Sequence, residues 1–322
     1  MSASTATATT ATAEAAQRRA RTDAAPADYV GRFAPSPTGP LHLGSLVAAV
    51  GSFVDARSRG GRWLLRMEDL DTARVVPGCA AHMLRTLEAF GLQWDGSIEY
   101  QSQRIGHYAE ALQALNARGL TFPCSCSRRE RLGDGGYPGT CREGARRAGP
   151  TAIRFRVDDE KIVSFEDRAQ GTCTFRLRER GDVIVRRRDG AFAYQLAVVV
   201  DDALQGISDV VRGVDLLDST PWQLALQEAL ALPTPRYAHL PLIVEPDGAK
   251  LAKSRRSVPL DPQAAAPLLH RALSLLRQDP PAELELEAAP MVLAWACAHW
   301  RPERLHGVRK AHAPRNNPRS PN

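Results

Sequence analysis

The segment GRFAPSPTGPLHLGS, Gly31 to Ser45, packs three prolines, three glycines, one arginine and one histidine into fifteen residues, then runs straight into LVAAVGSFVDA. Prolines 35, 37 and 40 lack the backbone N–H that a helix interior or a central strand needs, so neither can pass through the segment. A strand must end near Ala34 and a helix begin near Gly44, with a tight corner between them. Glycines let backbone approach a ligand, and a helix start offers unpaired N–H groups and a positive dipole end to phosphate. His42 stands two residues ahead of Gly44, placed either to donate to phosphate oxygens or to cap the helix. Neither G-x-G-x-x-G nor G-x-x-x-x-G-K-[ST] is present, which removes the usual dinucleotide and P-loop readings.

The elements around this corner follow an alternating order. Gly31–Ala34 reads as a strand end. Leu43–Arg59 reads as a helix with Leu46, Val47, Val50, Phe53 and Val54 inward. RWLLRMED, Arg62–Asp69, is a buried strand that stops at Glu68-Asp69, where a parallel sheet presents its functional carboxyl ends. Pro77–Phe90 and Arg104–Arg118 are helical. This β-α-β-α opening predicts an α/β protein with a doubly wound parallel sheet that binds a nucleotide. From Phe122 to Arg188 the pattern changes to short alternating strands (IRFRV, CTFRLR, DVIVRRR), the mark of an antiparallel β-rich insert. YQLAVVVDD, Tyr194–Asp202, reads as a long apolar strand returning to the sheet, followed by the helix PWQLALQEALAL. Two more helices, QAAAPLLHRALSLLRQ and PMVLAWACAHW, flank the DPPAE break. The expected organisation is a tail over 1–28, a catalytic half over 29–100, an insert over 101–190, a second half over 191–257, helices over 258–305 and a basic unstructured tail over 306–322.

The net charge of +6 comes almost entirely from the last 22 residues, with six Lys/Arg against one Glu, so it does not by itself indicate a nucleic-acid partner. Local clusters are more telling: Arg128–Arg147 and Arg176–Asp189 each hold six arginines and three acids. They are either phosphate-facing surfaces or solvated charged faces. No apolar run approaches the roughly 18–20 residues of a membrane span. The Ala/Thr-rich start has no apolar core, so it is not a secretory signal, and Glu14, Asp23 and Asp28 argue against an organellar one. Of six cysteines, Cys124, Cys126 and Cys141 cluster. That uneven trio suits a reducing compartment and a metal better than disulfides. As thiolates the three can hold Zn²⁺ if a fourth ligand completes a tetrahedron; the alternative is three reduced cysteines and a packed tyrosine, Tyr137.

A distant stretch, DGAKLAKSRRS (Asp247–Ser257), carries Lys250, Lys253 and Ser254 on a Gly-containing loop, suited to closing over a triphosphate or to lying solvated on the surface. RFAPSPTGPLHLGS, WLLRMEDLD, YQLAVVVDD, RGVDLLDSTPWQ and KLAKS, ordered over residues 31–257, resemble the glutamyl-tRNA synthetases, class I enzymes with HIGH and KMSKS signatures. HLGS stands where the family has HIGH and KLAKS where it has KMSKS, with Ala252 in place of a larger apolar residue. The resemblance implies a Rossmann-type ATP-binding domain interrupted by a stem-binding insert. Only 65 residues follow Ser257, too few for the family's anticodon-binding region. The shorter chain is similar to the glutamyl-queuosine tRNA(Asp) synthetases, which activate glutamate without tRNA and attach it to the queuosine base at the wobble position of tRNA(Asp).

That resemblance implies further roles. Tyr137 becomes the fourth zinc ligand beside Cys124, Cys126 and Cys141, in a structural site of one Zn²⁺ per chain. ATP with Mg²⁺ is expected at His42, Gly44, Lys250, Lys253 and Ser254, with His42 and Lys253 catalytic. L-glutamate is expected at Arg32, Phe33, Ala34, Pro35, Ser36, Glu68, Tyr194 and Arg212: the arginines for carboxylates, Glu68 for the ammonium, and Tyr194 as a hydrogen-bond donor. The implied enzyme is a cytoplasmic ligase with no membrane or obligate protein partner. Alternatives are a short glutamyl-tRNA synthetase charging a tRNA 3′ end, or an inactive zinc-stabilised RNA-binding protein.

Overall fold

The computed structural model describes residues 29–127, 136–245 and 258–313. Val30–Phe33 (β1) leads through the proline corner into Leu43–Arg57 (α1), and Arg62–Met67 (β2) returns parallel to β1, Val30 opposite Arg62. After Cys79–Ala89 (α2), Glu99–Tyr100 (β3) joins β2 in parallel, and Ile105–Ala117 (α3) leads into the insert.

The insert comprises Thr121–Cys124 (β4), Ala152–Phe155 (β5), Ile162–Asp167 (β6), Gly171–Arg176 (β7), the single turn Leu177–Arg180 (α4) and Val183–Arg186 (β8). β4, β5 and β8 form an antiparallel sheet, and β6–β7 is an antiparallel hairpin. The chain then forms Tyr194–Leu204 (α5), Asp209–Gly213 (β9), Thr220–Ala229 (α6), Arg236–Leu240 (β10) and Leu242–Val244 (β11), followed by Ala265–Leu275 (α7), Ala289–Ala298 (α8) and Lys310–His312 (β12). β9 and β10 are parallel, and β6 also pairs in parallel with β10, so the insert hairpin extends the parallel sheet. The N–H of Ser208 donates to the Val30 carbonyl at 3.0 Å, which places β9 beside β1. The result is an α/β architecture with a parallel sheet, the carboxyl ends of β1, β2 and β9 meeting at one place.

Two expectations are corrected. Residues 194–204 form a helix, not a strand. Leu196 to Asp202 are all buried because α5 packs between α3, α6 and β8, and an apolar run buried on every side looks the same in a helix as in a strand. Its β-branched valines lower helix propensity only slightly, which packing overrides. Residues 310–312, inside the stretch expected to lack structure, form β12 parallel to β11.

Leu46, Val50 and Val54 of α1 share one core with Trp63 and Leu65 of β2, Leu269 and Leu273 of α7 and Val292 of α8. The C-terminal helices thus close the far side of α1. A second core joins Tyr108, Leu112 and Leu115 of α3 to Leu196 and Val199 of α5 and Leu226 of α6. Among the described residues no helix is long and apolar enough to cross a membrane.

Candidate active site

At the carboxyl ends of β1, β2 and β9 lies a cavity of about 470 Å³. Its wall includes Arg32, Phe33, Ala34, Pro35, Ser36, His42, Gly44, Glu68, Tyr194 and Arg212, ten expected site residues drawn from separate segments. Lys250, Lys253 and Ser254 lie outside the described residues.

The proline corner explains how the segments meet. The N–H of Glu68 donates to the Pro35 carbonyl at 2.9 Å and that of Val76 to Pro37 at 3.0 Å, which ties the corner to the end of β2. His42 caps α1: its Nδ1 accepts the N–H groups of Gly44 at 3.1 Å and Ser45 at 3.4 Å, and the His42 N–H donates to Ser45 Oγ at 2.7 Å. This is a reciprocal capping box with imidazole in place of the usual hydroxyl. Because Nδ1 accepts, the proton of the neutral ring is on Nε2. Capping and donating, posed as alternatives for His42, are therefore compatible.

Arg32 is buried, and its fork faces Asp202, with Nε 3.2 Å from Oδ1 and Nη2 3.4 Å from Oδ2. Asp202 also accepts from Nη2 of Arg66 at 2.8 Å, and Arg66 reaches Glu68 at 3.4 Å and Gln205 at 2.6 Å. Asp201 takes Gln101, Arg104 and Tyr108. The sequence reading missed Arg66, Asp201 and Asp202. Their signal was an arginine inside an apolar strand and an acidic pair ending an apolar run, and both require partners when buried. Burial pushes the Glu68 carboxyl above its ordinary range, against the pull of Arg66 and Arg32. A ligand ammonium beside it would restore the charged form. Arg212 donates from Nη1 to Tyr194 at 3.2 Å and from Nη2 to Thr220 at 2.9 Å. The cavity thus offers two guanidinium groups, one carboxyl and one phenol beside a capped helix start. That set complements a small zwitterion carrying an additional carboxylate.

A second cluster lies in the insert. The sulfurs of Cys124, Cys126 and Cys141 all lie within 4.8 Å of one another. The Tyr137 hydroxyl is 3.4 Å from Cys124 Sγ and 3.6 Å from Cys126 Sγ, and it accepts the Cys141 N–H at 2.9 Å. Three sulfurs and an oxygen this close fit a tetrahedral shell around Zn²⁺, for which Zn–S is about 2.3 Å. Burial opposes ionisation of Cys141, but bonds from Tyr137 and from the backbone at Ser125 and Arg146 bring its pKa down to about 6. Burial and the three thiols push the Tyr137 phenol well above its ordinary value, so a nearby cation would be needed to ionise it.

Arg128, Arg129 and Arg131 lie outside the described residues, and the described arginines of the two clusters differ in their surroundings. Arg142 is committed to Asp159 and Asp182, whereas Arg146, Arg147, Arg176, Arg178, Arg186 and Arg188 are exposed.

Comparison with known proteins identifies the family. Residues 29–134 and 138–264 match the family described as tRNA synthetases class I (E and Q), catalytic domain. The Glutamyl-Q tRNA(Asp) synthetase of Pseudomonas aeruginosa is 56% identical over 279 residues, covering 86% of this chain and 95% of that protein. That of Ectopseudomonas mendocina is 55% identical over the same length and coverage. Among solved structures, a glutamate tRNA ligase from Elizabethkingia meningosepticum in complex with its amino acid superposes with a TM-score of 0.73 at 23% identity, over 89% of this chain and 67% of that one, which shows a shared fold.

Proposed function

The chain belongs to the class I (E and Q) tRNA synthetases and groups with the Glutamyl-Q tRNA(Asp) synthetases; from that membership we propose that it activates glutamate with ATP and transfers it to the queuosine base of tRNA(Asp). It is a ligase of the aminoacyl-tRNA synthetase kind. The observation that carries the finer reading is the convergence of Arg32, Glu68, Tyr194 and Arg212 on one cavity beside the His42-capped helix.

In this reading a glutamate α-carboxylate oxygen attacks the ATP α-phosphorus in line, the bond to pyrophosphate breaks, and glutamyl-adenylate forms. No protein nucleophile is involved. Arg32, Arg212, Glu68 and Tyr194 orient the amino acid, so the rate gain comes from positioning. The Nε2 proton of His42 stabilises charge on the phosphate, with Gly44 at the helix start and Lys250, Lys253 and Ser254 from the segment outside the described residues. Mg²⁺ bound with ATP supplies charge neutralisation for the pyrophosphate. A hydroxyl of the queuosine cyclopentenediol then attacks the acyl carbon, AMP leaves, and an ester remains on the base. Zn²⁺ at Cys124, Cys126, Tyr137 and Cys141 is assigned a structural role, because four protein ligands leave no open position. The exposed insert arginines would hold the anticodon stem-loop, and the unbridged cysteines suit the cytoplasm.

The test supplies ATP and labelled glutamate with queuosine-containing tRNA(Asp), queuosine-free tRNA(Asp) or tRNA(Glu). Label on the modified tRNA(Asp) alone is expected. Label on the 3′ end of tRNA(Glu) would replace this reading with a short glutamyl-tRNA synthetase, and absence of glutamate-dependent ATP–pyrophosphate exchange would replace it with an inactive RNA-binding protein.

A further inference from the structure

Arg212 is gripped on the side that Tyr194 does not occupy. Its Nε donates to Nε2 of His239 at 3.0 Å, so that ring nitrogen carries a lone pair and the ring proton is on Nδ1. Nδ1 lies 2.5 Å from Oδ2 of Asp167. The other oxygen, Oδ1, accepts the N–H groups of Ala169, Gln170 and His239 at 3.0, 2.9 and 3.1 Å, which fixes the carboxylate in place. Asp167, His239 and Arg212 are 2%, 0% and 5% exposed, and neither Asp167 nor His239 lines the cavity. Thr220 and the Leu216 carbonyl take Nη2 of Arg212, and Tyr194, which does line the cavity, shares Nη1. Asp167 ends the insert strand β6, His239 is on β10 and Arg212 on β9, so the line of bonds crosses three adjacent strands.

We propose that Asp167 and His239 are positioning residues for amino-acid recognition: an insert-borne carboxylate fixes the tautomer of His239, whose lone pair then aims the Arg212 guanidinium into the cavity. The proposal rests on the reading of Arg212 as a glutamate ligand. Burial pulls the His239 pKa down to about 4, and Arg212 pulls in the same direction against Asp167, so the ring is neutral near neutral pH and its tautomer alone matters. In Asp167→Asn the carboxamide keeps an oxygen for the three N–H groups and turns its NH₂ toward Nδ1. The ring proton must then move to Nε2, where it faces the Nε–H of Arg212. Two donors meet and the guanidinium shifts. In His239→Gln the side-chain oxygen can reach the place of Nε2 and accept from Arg212 with no tautomer to choose.

The test is glutamate-dependent ATP–pyrophosphate exchange by the full chain. In Asp167→Asn the KM for glutamate should rise about 10-fold or more, the equivalent of one lost hydrogen bond to a charged group, while KM for ATP stays unchanged. His239→Gln should cost less, and Asp167→Asn added to it should cost almost nothing further. Equal increments in the two backgrounds, or an unchanged KM in Asp167→Asn, would overturn the proposal. Should these variants unfold, the imidazole ¹⁵N shifts of the unmodified protein decide: a protonated Nδ1 and bare Nε2 at His239 support the relay, and the reverse tautomer refutes it. Arg212→Ala separates the two layers. If it leaves glutamate KM unchanged, the underlying site reading fails; if it abolishes glutamate use while Asp167→Asn has no effect, the relay alone fails.

Discussion

At the scale of single residues, the site is governed by charges that have been taken out of water. Arg66 is fully buried and Arg32 nearly so, and Asp202 is the carboxylate they share. Burial works against the Asp202 anion, but Arg32 and Arg66 outweigh it and hold the carboxyl below its ordinary range. A depressed carboxyl contributes stability that is complete above its unfolded pKa of about 3.9 and is lost as pH falls through the lower folded value. Asp202→Asn leaves two guanidinium groups short of a counter-charge and should cost roughly 3–5 kcal/mol at pH 7. Denaturant melts of the two proteins at pH 7 and below about pH 4 check this, since the gap should narrow in acid. A gap that stays constant with pH would mean the charge of Asp202 is not what matters.

At the scale of elements, close backbone contact seats the cysteine loop. A Cβ on Gly136 would lie 2.0 Å from the carbonyl carbon of Arg180, and one on Gly181 (φ +67) would lie 2.3 Å from the backbone of Tyr137. The loop residue Tyr137 bridges Gly181, and its ring lies under the Arg154 guanidinium at 3.7 Å. Gly136→Ala should therefore loosen the loop with every thiol intact. The expected readout is faster zinc release to a chelator and about 1–3 kcal/mol of lost stability, the usual cost of overpacking. Release at the parent rate would show that the proposed metal, not this backbone contact, sets how firmly the loop is held. The cysteine spacing and the corner at Gly31–Ser45 were legible because their chemistry is local: thiols two residues apart, and prolines that forbid continuation. The helix at 194–204 was not, because burial on all sides erases the periodicity that separates helix from strand. The relay through Asp167 and His239 was equally hidden, since 72 residues separate its two members. Only the pairing of β6 with β10 brings them together.

At the scale of the whole molecule, the division into catalytic halves, insert and C-terminal helices that the sequence suggested is crossed by shared structure. The β6–β7 hairpin extends the parallel sheet, and Asp55 of α1 holds Arg168 of the insert, Tyr29 and the indole of Trp300 together. β12 pairs with β11, with the Leu242 N–H donating to Arg309 at 2.9 Å and that of Ala313 to Val244 at 2.8 Å. β11 runs directly into residues 246–257, which include Lys250 and Lys253. Ala311→Pro removes a donor from this ladder. It should raise KM for ATP several-fold while leaving KM for glutamate unchanged, because Arg32 is on β1, Arg212 on β9 and Glu68 follows β2, none of which pairs with β12. Equal change in both constants in exchange assays would argue for general unfolding instead.

The same pairing orders events on the ribosome. The lysine-bearing segment is translated well before residues 310–312, yet the strand that feeds it has its described partner only there. A nascent chain stalled between these points would already carry Arg32, Glu68, Tyr194 and Arg212 while β11 still lacked its described partner strand. On the proposed assignment of glutamate to the first set and ATP to the segment after β11, competence for the two substrates would be acquired at different moments of synthesis.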